Sequence, residues 1–244
     1  MFRKIFIGLI FLGLTACHVA QLTTLYNDST SVEKNDIRVD ADHLPITGIY
    51  QRHTPKMRLI EESYYVDGKL DGLSKTYDAK GHLLLVAQYQ KGRLHGKSIS
   101  YYLNGQEKDV YNYFKGKLDG SQIGYFKDGI LKNKSSYIRG KKNGIFVEYY
   151  PSGTVKTSTT YRNDKLHGPA RIYAKGNKVI SYTEYVKGVR NGPANSYYPN
   201  GKPRVLAYRK KDKLDGNYKE FDKKGNLILL ATYKDGVEIQ SVKF

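Results

Sequence analysis

The sequence contains a glycine that recurs every 24 residues, seven times in succession and without insertion or deletion. These glycines are Gly72, Gly96, Gly120, Gly144, Gly168, Gly192 and Gly216. Each closes a short motif, which in the first copy reads Gly68-Lys69-Leu70-Asp71-Gly72 and is interpreted as a turn. A fixed period of about 20 to 50 residues indicates an array of similar supersecondary units. The chain is therefore predicted to be a repeat protein.

Aromatic residues and further glycines keep the same period. Five places after the closing glycine stand Tyr77, Tyr101, Tyr125, Tyr149, Tyr173, Tyr197 and Phe221. Nine places after it stands a second glycine, replaced in the fifth copy by Asn177, which also tolerates a positive φ. Seventeen places after it stand Tyr89, Tyr113, Tyr137, Tyr161, Tyr185 and Tyr233. In the sixth copy Tyr208 comes one place early and Pro203 lies nearby, which predicts a local slip or bulge.

Two glycine-marked turns in each repeat leave two segments of about six to eight residues, the usual length of a β-strand. The segments are rich in Tyr, Ile, Val, Thr and Phe, as strands are. We therefore predict an all-β fold: an elongated, single-sheet antiparallel meander of 24-residue β-hairpin repeats with tyrosine ladders, and no helix outside the N-terminal signal segment. Residues 68–236 hold seven clear repeats, 43–66 a degenerate first repeat and 237–244 a C-terminal cap.

Residues 1–16 resemble the signal peptide of a bacterial lipoprotein. The apolar run from Ile5 to Leu14 follows two basic residues and is too short to span a membrane. It leads into Leu14-Thr15-Ala16-Cys17, which resembles a lipobox and contains the only cysteine of the chain. The resemblance implies cleavage before Cys17 and its acylation, palmitate included, and two or more acyl chains anchor a protein stably. An ordinary secretory signal with a chance cysteine is the alternative.

The residue after Cys17 is His18 and not the Asp that is associated with retention in the inner membrane. We therefore expect a lipid-anchored protein of the bacterial envelope, at the outer membrane and facing the periplasm, with surface display as an alternative.

The chain is strongly basic, with 41 Lys and Arg against 23 Asp and Glu, a formal charge of +18. The mature chain, without residues 1–16, holds 39 basic and 23 acidic residues, or +16. Residues 17–42 carry five acids and two bases in no periodic pattern, so they are predicted to be a lipidated N-terminus and flexible tether. The remaining 37 bases and 18 acids give residues 43–244 a charge of +19. This charge suits an anionic partner; solvated turns and protected sheet edges are the other explanation.

The Gly-Lys-Leu-Asp/His-Gly motif, the tyrosine pairs that follow it and the glycine nine places on resemble the bacterial variant of MORN repeats, found in the YwqK-type antitoxin group. Such pairs are Tyr101-Tyr102, Tyr149-Tyr150 and Tyr197-Tyr198. The resemblance covers about residues 60 to 240 and implies a binding or scaffold role. Combined with the lipobox, it favours an immunity-type lipoprotein that neutralises a toxin acting in the periplasm or at the membrane. The alternative is a membrane-proximal scaffold that binds anionic lipid or glycolipid through its basic surface.

No catalytic, metal or cofactor site is predicted, and the chain is not expected to be an enzyme. The six histidines show no metal-ligand spacing, and no nucleophile-elbow or phosphate-loop motif is present. His95 and His167 take a motif position held elsewhere by Asp or Asn, so they are assigned to turn chemistry. Nucleic acid is not an expected partner of an exported protein.

A third aromatic series stands six places after the closing glycine. Its members are Tyr102, Phe126, Tyr150 and Tyr198, whereas Asp78, Ala174 and Asp222 take this place in the other copies. Adjacent residues of a strand face opposite ways, so this series is expected on the other face from the ladder at the fifth place. These four aromatic residues are therefore the predicted partner-binding strip, with a second packing strip as the alternative.

Overall fold

A computed structural model describes residues 24–34 and 36–244, so the predicted signal peptide and Cys17 lie outside the described residues. The described residues contain 23 strands and no helix. Backbone pairing assigns 21 strands to one mostly antiparallel sheet, which confirms the predicted all-β hairpin meander. The described residues divide into two compact units, one up to residue 107 together with 113–116, and one of residues 108–112 with 117–244.

The strands of the first unit begin with a short N-terminal group and continue as hairpins. They are β1 (Leu25–Tyr26), β2 (Ser31–Lys34), β3 (Ile37–Asp40), β4 (Gly48–His53), β5 (Leu59–Val66), β6 (Lys69–Tyr77), β7 (Leu83–Gln90) and β8 (Arg93–Tyr101). The next strand, β9 (Glu107–Phe114), contributes residues to both units.

The second unit continues the hairpin series to the end of the sequence. Its strands are β10 (Lys117–Tyr125), β11 (Leu131–Ile138), β12 (Lys141–Lys142), β13 (Gly144–Tyr149), β14 (Val155–Arg162), β15 (Lys165–Tyr173), β16 (Val179–Val186), β17 (Val189–Tyr197), β18 (Pro203–Leu206), β19 (Tyr208–Lys210), β20 (Lys213–Leu214), β21 (Gly216–Phe221), β22 (Leu227–Lys234) and β23 (Val237–Lys243).

Each repeat contains one two-residue turn in which both residues have positive φ. In the first copy these residues are Asp67 (φ 48°) and Gly68 (φ 72°), between the paired residues Val66 and Lys69. A two-residue loop with positive φ at both positions is a type I′ turn, which matches the twist of a hairpin. The same turn recurs at 91–92, 115–116, 139–140, 163–164, 187–188, 211–212 and 235–236.

The glycine of the 24-residue period does not close this turn, and in that respect the prediction is wrong. Gly72 lies inside β6, in a bulge that places three residues opposite Tyr64. Its φ is 125°, and a Cβ built on it would lie 3.3 Å from the Tyr64 Cβ. A glycine is needed here because the bulge combines a left-handed backbone with a close approach of the neighbouring strand.

The second glycine of each repeat completes a three-residue loop. In the first copy the Asp78 N–H donates to the His82 carbonyl at 2.9 Å, and the Gly81 N–H donates to the Asp78 carbonyl at 3.0 Å. Gly81 has a φ of 93°, which fits a type I turn followed by a glycine bulge. Asn177 takes a φ of 61° at the equivalent place, as expected.

The tyrosines at the seventeenth place pair with the bulge glycines. Tyr89 stands opposite Gly72 and Tyr137 opposite Gly120, and the pattern recurs along the chain. The sheet has little buried apolar volume, because small residues such as Ser63, Ala87, Ser135 and Ala231 hold the buried central positions. The apolar fraction of 39% therefore accompanies a thin sheet and not a thick core.

The irregularity predicted around Pro203 is present, but it is not a slip of register. The strand is interrupted at Ala207, between β18 and β19. Arg209 pairs with Gly192, so it fills the place that a tyrosine has in the other repeats. Tyr208 stays exposed and does not replace the missing ladder residue.

The prediction of a flexible tether is wrong for the part of residues 17–42 that the structure describes. β1 pairs in parallel with β4, and β2 and β3 form a hairpin. The Arg38 N–H donates to the Gly68 carbonyl at 2.8 Å, and the Arg38 guanidinium carbon lies 3.8 Å from the centre of the Tyr50 ring. The Tyr50 hydroxyl donates to Asp28, and Ile46, Tyr50 and Tyr65 form a buried cluster. The five acidic residues of this segment suggested a solvated chain. The contact of the Arg38 guanidinium with the Tyr50 ring, together with a few apolar residues, is nevertheless enough to hold the segment in place.

Candidate binding surfaces

The four aromatic residues predicted to bind a partner lie in turns and not in strands. Each comes directly after the end of β8, β10, β13 or β17 and opens the three-residue loop. The N–H of Tyr198, for example, donates to the Lys202 carbonyl at 2.9 Å. The alternation of strand faces therefore does not apply to them. All four side chains, Tyr102, Phe126, Tyr150 and Tyr198, are half-buried.

Two of these side chains tie one repeat to the next. The Tyr150 hydroxyl donates to the Tyr173 carbonyl at 3.1 Å, and the Tyr198 hydroxyl donates to the Phe221 carbonyl at 2.9 Å. Both bonds reach 23 residues along the chain. These residues thus have a packing role, which leaves only part of each ring available to a partner.

Where an aspartate takes this place, its carboxylate works within its own turn. Asp78 Oδ1 accepts hydrogen bonds from the N–H groups of Lys80 at 2.8 Å and His82 at 2.9 Å. The His82 side chain, with Nδ1 2.8 Å from Asp78 Oδ2, holds the pKa of Asp78 at about 2. The sixth place is therefore a turn-opening position, which an aspartate, an aromatic residue or, in the fifth copy, Ala174 can occupy.

A second tie, which sequence reasoning missed, links the motif residue before the bulge glycine to the next type I′ turn. In the second unit it joins side chains to backbone N–H groups 20 residues on: Asp119 Oδ2 with Arg139 N at 3.1 Å, His167 Nδ1 with Lys187 N at 3.4 Å, Asn191 Oδ1 with Lys211 N at 3.3 Å, and Asp215 Oδ2 with Asp235 N at 3.2 Å. The signal in the sequence was the restriction of this place to Asp, Asn and His, which are short side chains able to accept a hydrogen bond.

A row of cations lies along the type I′ turns of the second unit. Lys141, Arg162, Lys165 and Lys187 line a shallow pocket together with Asn163 and His167. Within the described part of the chain, no carboxylate lies within 4.0 Å of any of these four cations. We call these four residues the basic row.

Two aspartates of the type I′ turns in this unit accept hydrogen bonds. Asp164 Oδ1 accepts the Lys142 N–H at 2.7 Å, and Asp212 Oδ1 accepts the Arg190 Nε–H at 2.8 Å. The Arg190 guanidinium lowers the pKa of the Asp212 carboxyl below its usual range. The row holds four cations against the single carboxylate of Asp164, which keeps its charge when it accepts a backbone N–H, so the row attracts anions at low ionic strength.

Among residues 24–34 and 36–244, no group of three His, Cys, Asp or Glu side chains is placed to hold a metal ion. The described residues also include no helix long and apolar enough to cross a bilayer.

Three segments of the second unit match the family described as MORN repeat variant, residues 142–163, 190–211 and 214–235. Each segment starts two residues after one type I′ turn and ends on the first residue of the next turn. The family's unit therefore coincides with one hairpin around a three-residue loop. Repeats of this family often take part in protein or membrane binding. No curated protein matches the chain.

Proposed function

We propose that this chain is a non-enzymatic binding protein of MORN-repeat type in the bacterial envelope, anchored by lipid on Cys17 at the outer membrane. Its partner is an acidic protein, and an immunity role against a toxin that acts in the periplasm or at the membrane fits best. The observation that carries the proposal is the basic row, four cations of the second unit with no carboxylate within 4.0 Å among the described residues. Complementary charge of this kind speeds encounter and selects partners.

The lipobox supports the envelope location, and the family match supports a binding role. The half-buried aromatic residues Tyr102, Phe126, Tyr150 and Tyr198 remain a proposed secondary contact. With two of their hydroxyls bound within the chain, they offer ring edges more than hydrogen-bond donors.

A toxicity assay tests the immunity role. The gene is deleted, and the product of a neighbouring gene is expressed in the periplasm with and without the protein supplied in trans. Survival is expected only with the protein, and equal survival of both strains would refute immunity. Replacement of Lys141, Arg162 and Lys187 by Glu should abolish protection. The matched control replaces, with the same change of charge, three exposed lysines of the same unit: Lys175 and Lys223 in three-residue loops, and Lys178 directly after one.

A scaffold that binds anionic lipid or glycolipid is the second candidate, because the pocket at the basic row presents several cations to one small anionic group. Flotation of an unlipidated Cys17→Ala form with phosphatidylglycerol vesicles distinguishes the two. Binding that disappears between about 0.05 and 0.5 M salt supports the scaffold. No binding at low salt eliminates it and leaves the protein partner.

A further inference from the structure

The last strand, β23, presents a free edge. It pairs with β22 on one side, and no other described strand of the second unit pairs with it. All its residues are exposed, with Val237 64%, Ile239 62% and Val242 54% accessible, and Phe244 just beyond it 70% accessible. An edge strand with apolar residues is a template for pairing with another strand.

The backbone groups that point outward can be assigned from the pairing with β22. Val237 opposes Lys234 across the two-residue turn, which makes them a hydrogen-bonded pair, and the Phe244 N–H donates to the Ile228 carbonyl at 3.1 Å. Hydrogen-bonded and non-bonded pairs alternate in an antiparallel ladder. The N–H and C=O groups of Glu238, Ser241 and Lys243 therefore point to the free edge.

A bulge in β23 sets which residues share a face. Tyr233 opposes Glu238 and Thr232 opposes Gln240, so Ile239 is the extra residue. Glu238, Ser241 and Lys243 then share one face, because they oppose Tyr233, Ala231 and Leu229 in the same strand.

This arrangement is complementary to itself under a two-fold axis through Ser241. Facing strands related by such an axis place each residue opposite a residue of the same face. The bulge makes the charged residues meet, since without the extra residue Lys243 would face Ile239. The opposed pairs are Ser241 with Ser241, Val242 with Ile239 and Gln240, Lys243 with Glu238, and Phe244 with Val237.

We propose that β23 is a dimerisation strand, which pairs antiparallel with the same strand of a second copy about an axis through Ser241. Each dimer then gains two Glu238–Lys243 ion pairs and two apolar Phe244–Val237 contacts, and the outward backbone groups become hydrogen-bonded. Ser241 suits the axis because two small side chains meet there. An interface of one strand from each copy is small, so we expect reversible association in the micromolar range.

Sedimentation velocity of the full chain, with Cys17→Ala to prevent oxidation, measures the association over micromolar to submillimolar concentration. We expect a monomer–dimer equilibrium. Ser241→Pro removes an outward N–H and no bond to β22, so it should abolish the dimer and leave the circular dichroism spectrum unchanged. A chain that stays monomeric throughout, or a dimer unaffected by Ser241→Pro, would overturn the proposal.

Charge exchange tests the register itself. Glu238→Lys and Lys243→Glu should each weaken the dimer about tenfold, and the double variant should restore it to within about threefold, because like charges opposite one another are destabilising. Failure of the double variant to recover would exclude this register.

A cross-linking experiment is independent of the charges. In the Cys17→Ala background, Ser241→Cys should form an intermolecular disulfide, since opposed residues of a hydrogen-bonded pair have Cα atoms about 5.5 Å apart. Lys243→Cys, whose own copy is about 13 Å away in this register, is the matched control and should remain reduced. Equal cross-linking of both variants would contradict the two-fold axis at Ser241.

Discussion

Removal of the two tyrosine hydroxyls that join successive repeats should weaken the second unit by a predictable amount. In Tyr150→Phe and Tyr198→Phe each ring is kept, and only the bond to the Tyr173 or Phe221 carbonyl is lost. An intramolecular hydrogen bond of this kind contributes about 0.5–1.5 kcal/mol. Each single variant should therefore lose about that much free energy of unfolding.

The two losses should add. The residues occupy equivalent places two repeats apart, which is four strand spacings or about 19 Å, and distant sites without shared partners behave independently. The double variant should lose about 1–3 kcal/mol, with a fall in melting temperature of roughly 2–4 °C for each kcal/mol.

Urea unfolding followed by circular dichroism measures the effect, with the slope against urea expected to stay constant while the midpoint falls. The control is Tyr208→Phe in the same unit, an exposed tyrosine for which the structure records no hydroxyl bond to another residue. An unchanged midpoint in the double variant would refute the inter-repeat role. A loss in Tyr208→Phe as large as in Tyr198→Phe would show that the bond itself is not the cause. The Phe variants keep the rings, so any partner bound by ring contact should still bind them.

Two further outcomes are expected from the turns and bulges. Gly192→Ala places a Cβ 2.8 Å from the Glu184 Cβ at a φ of 131°, so it should lower the free energy of unfolding, measured in urea, by about 2–5 kcal/mol. Gly216→Ala, at the same place in its repeat, puts the Cβ in open space and should lower it by only about 1–2 kcal/mol. The Asp78 carboxyl, held at a pKa of about 2 by His82, stabilises its turn above the ordinary aspartate pKa and loses that contribution as pH falls toward about 2. An NMR titration of this carboxyl should show that midpoint, and His82→Ala should raise it; equal midpoints would exclude the His82 contact as the cause.

The hairpin order, the strand lengths and the two classes of turn could be predicted because glycine at fixed intervals leaves few backbone alternatives. The role of Gly72 could not, since a left-handed glycine in a bulge and one in a turn look the same in a sequence. The N-terminal segment was predicted to be flexible because of its charged residues, and that prediction gave too little weight to the few residues that hold the segment in place. There, one guanidinium on the Tyr50 ring and a small apolar cluster overcome that charge.

The candidate sites, too, could be predicted from the sequence only in part. The 24-residue period identifies the aromatic residues at the sixth place. It does not indicate that Tyr150 and Tyr198 donate to a backbone carbonyl of the following repeat, because that contact depends on how successive repeats pack. The basic row could not be predicted, because it depends on which cations lie beside a carboxylate in the folded chain, as Arg190 lies beside Asp212. Net charge alone does not show which cations are paired with a carboxylate.

The ties that run 20 residues forward, from the motif side chain to the N–H of the next type I′ turn, limit how a gene for such a chain can change in length. Both partners keep their phase only if whole 24-residue copies are gained or lost. Duplication of one copy would supply a new acceptor and a new turn together, so every bond along the array would be re-formed. Loss of a single codon between an acceptor residue and its donor residue would shift the two out of phase, so the hydrogen bond between them would be lost. Copy number is therefore the dimension in which this architecture is free to vary, while spacing within a copy is fixed.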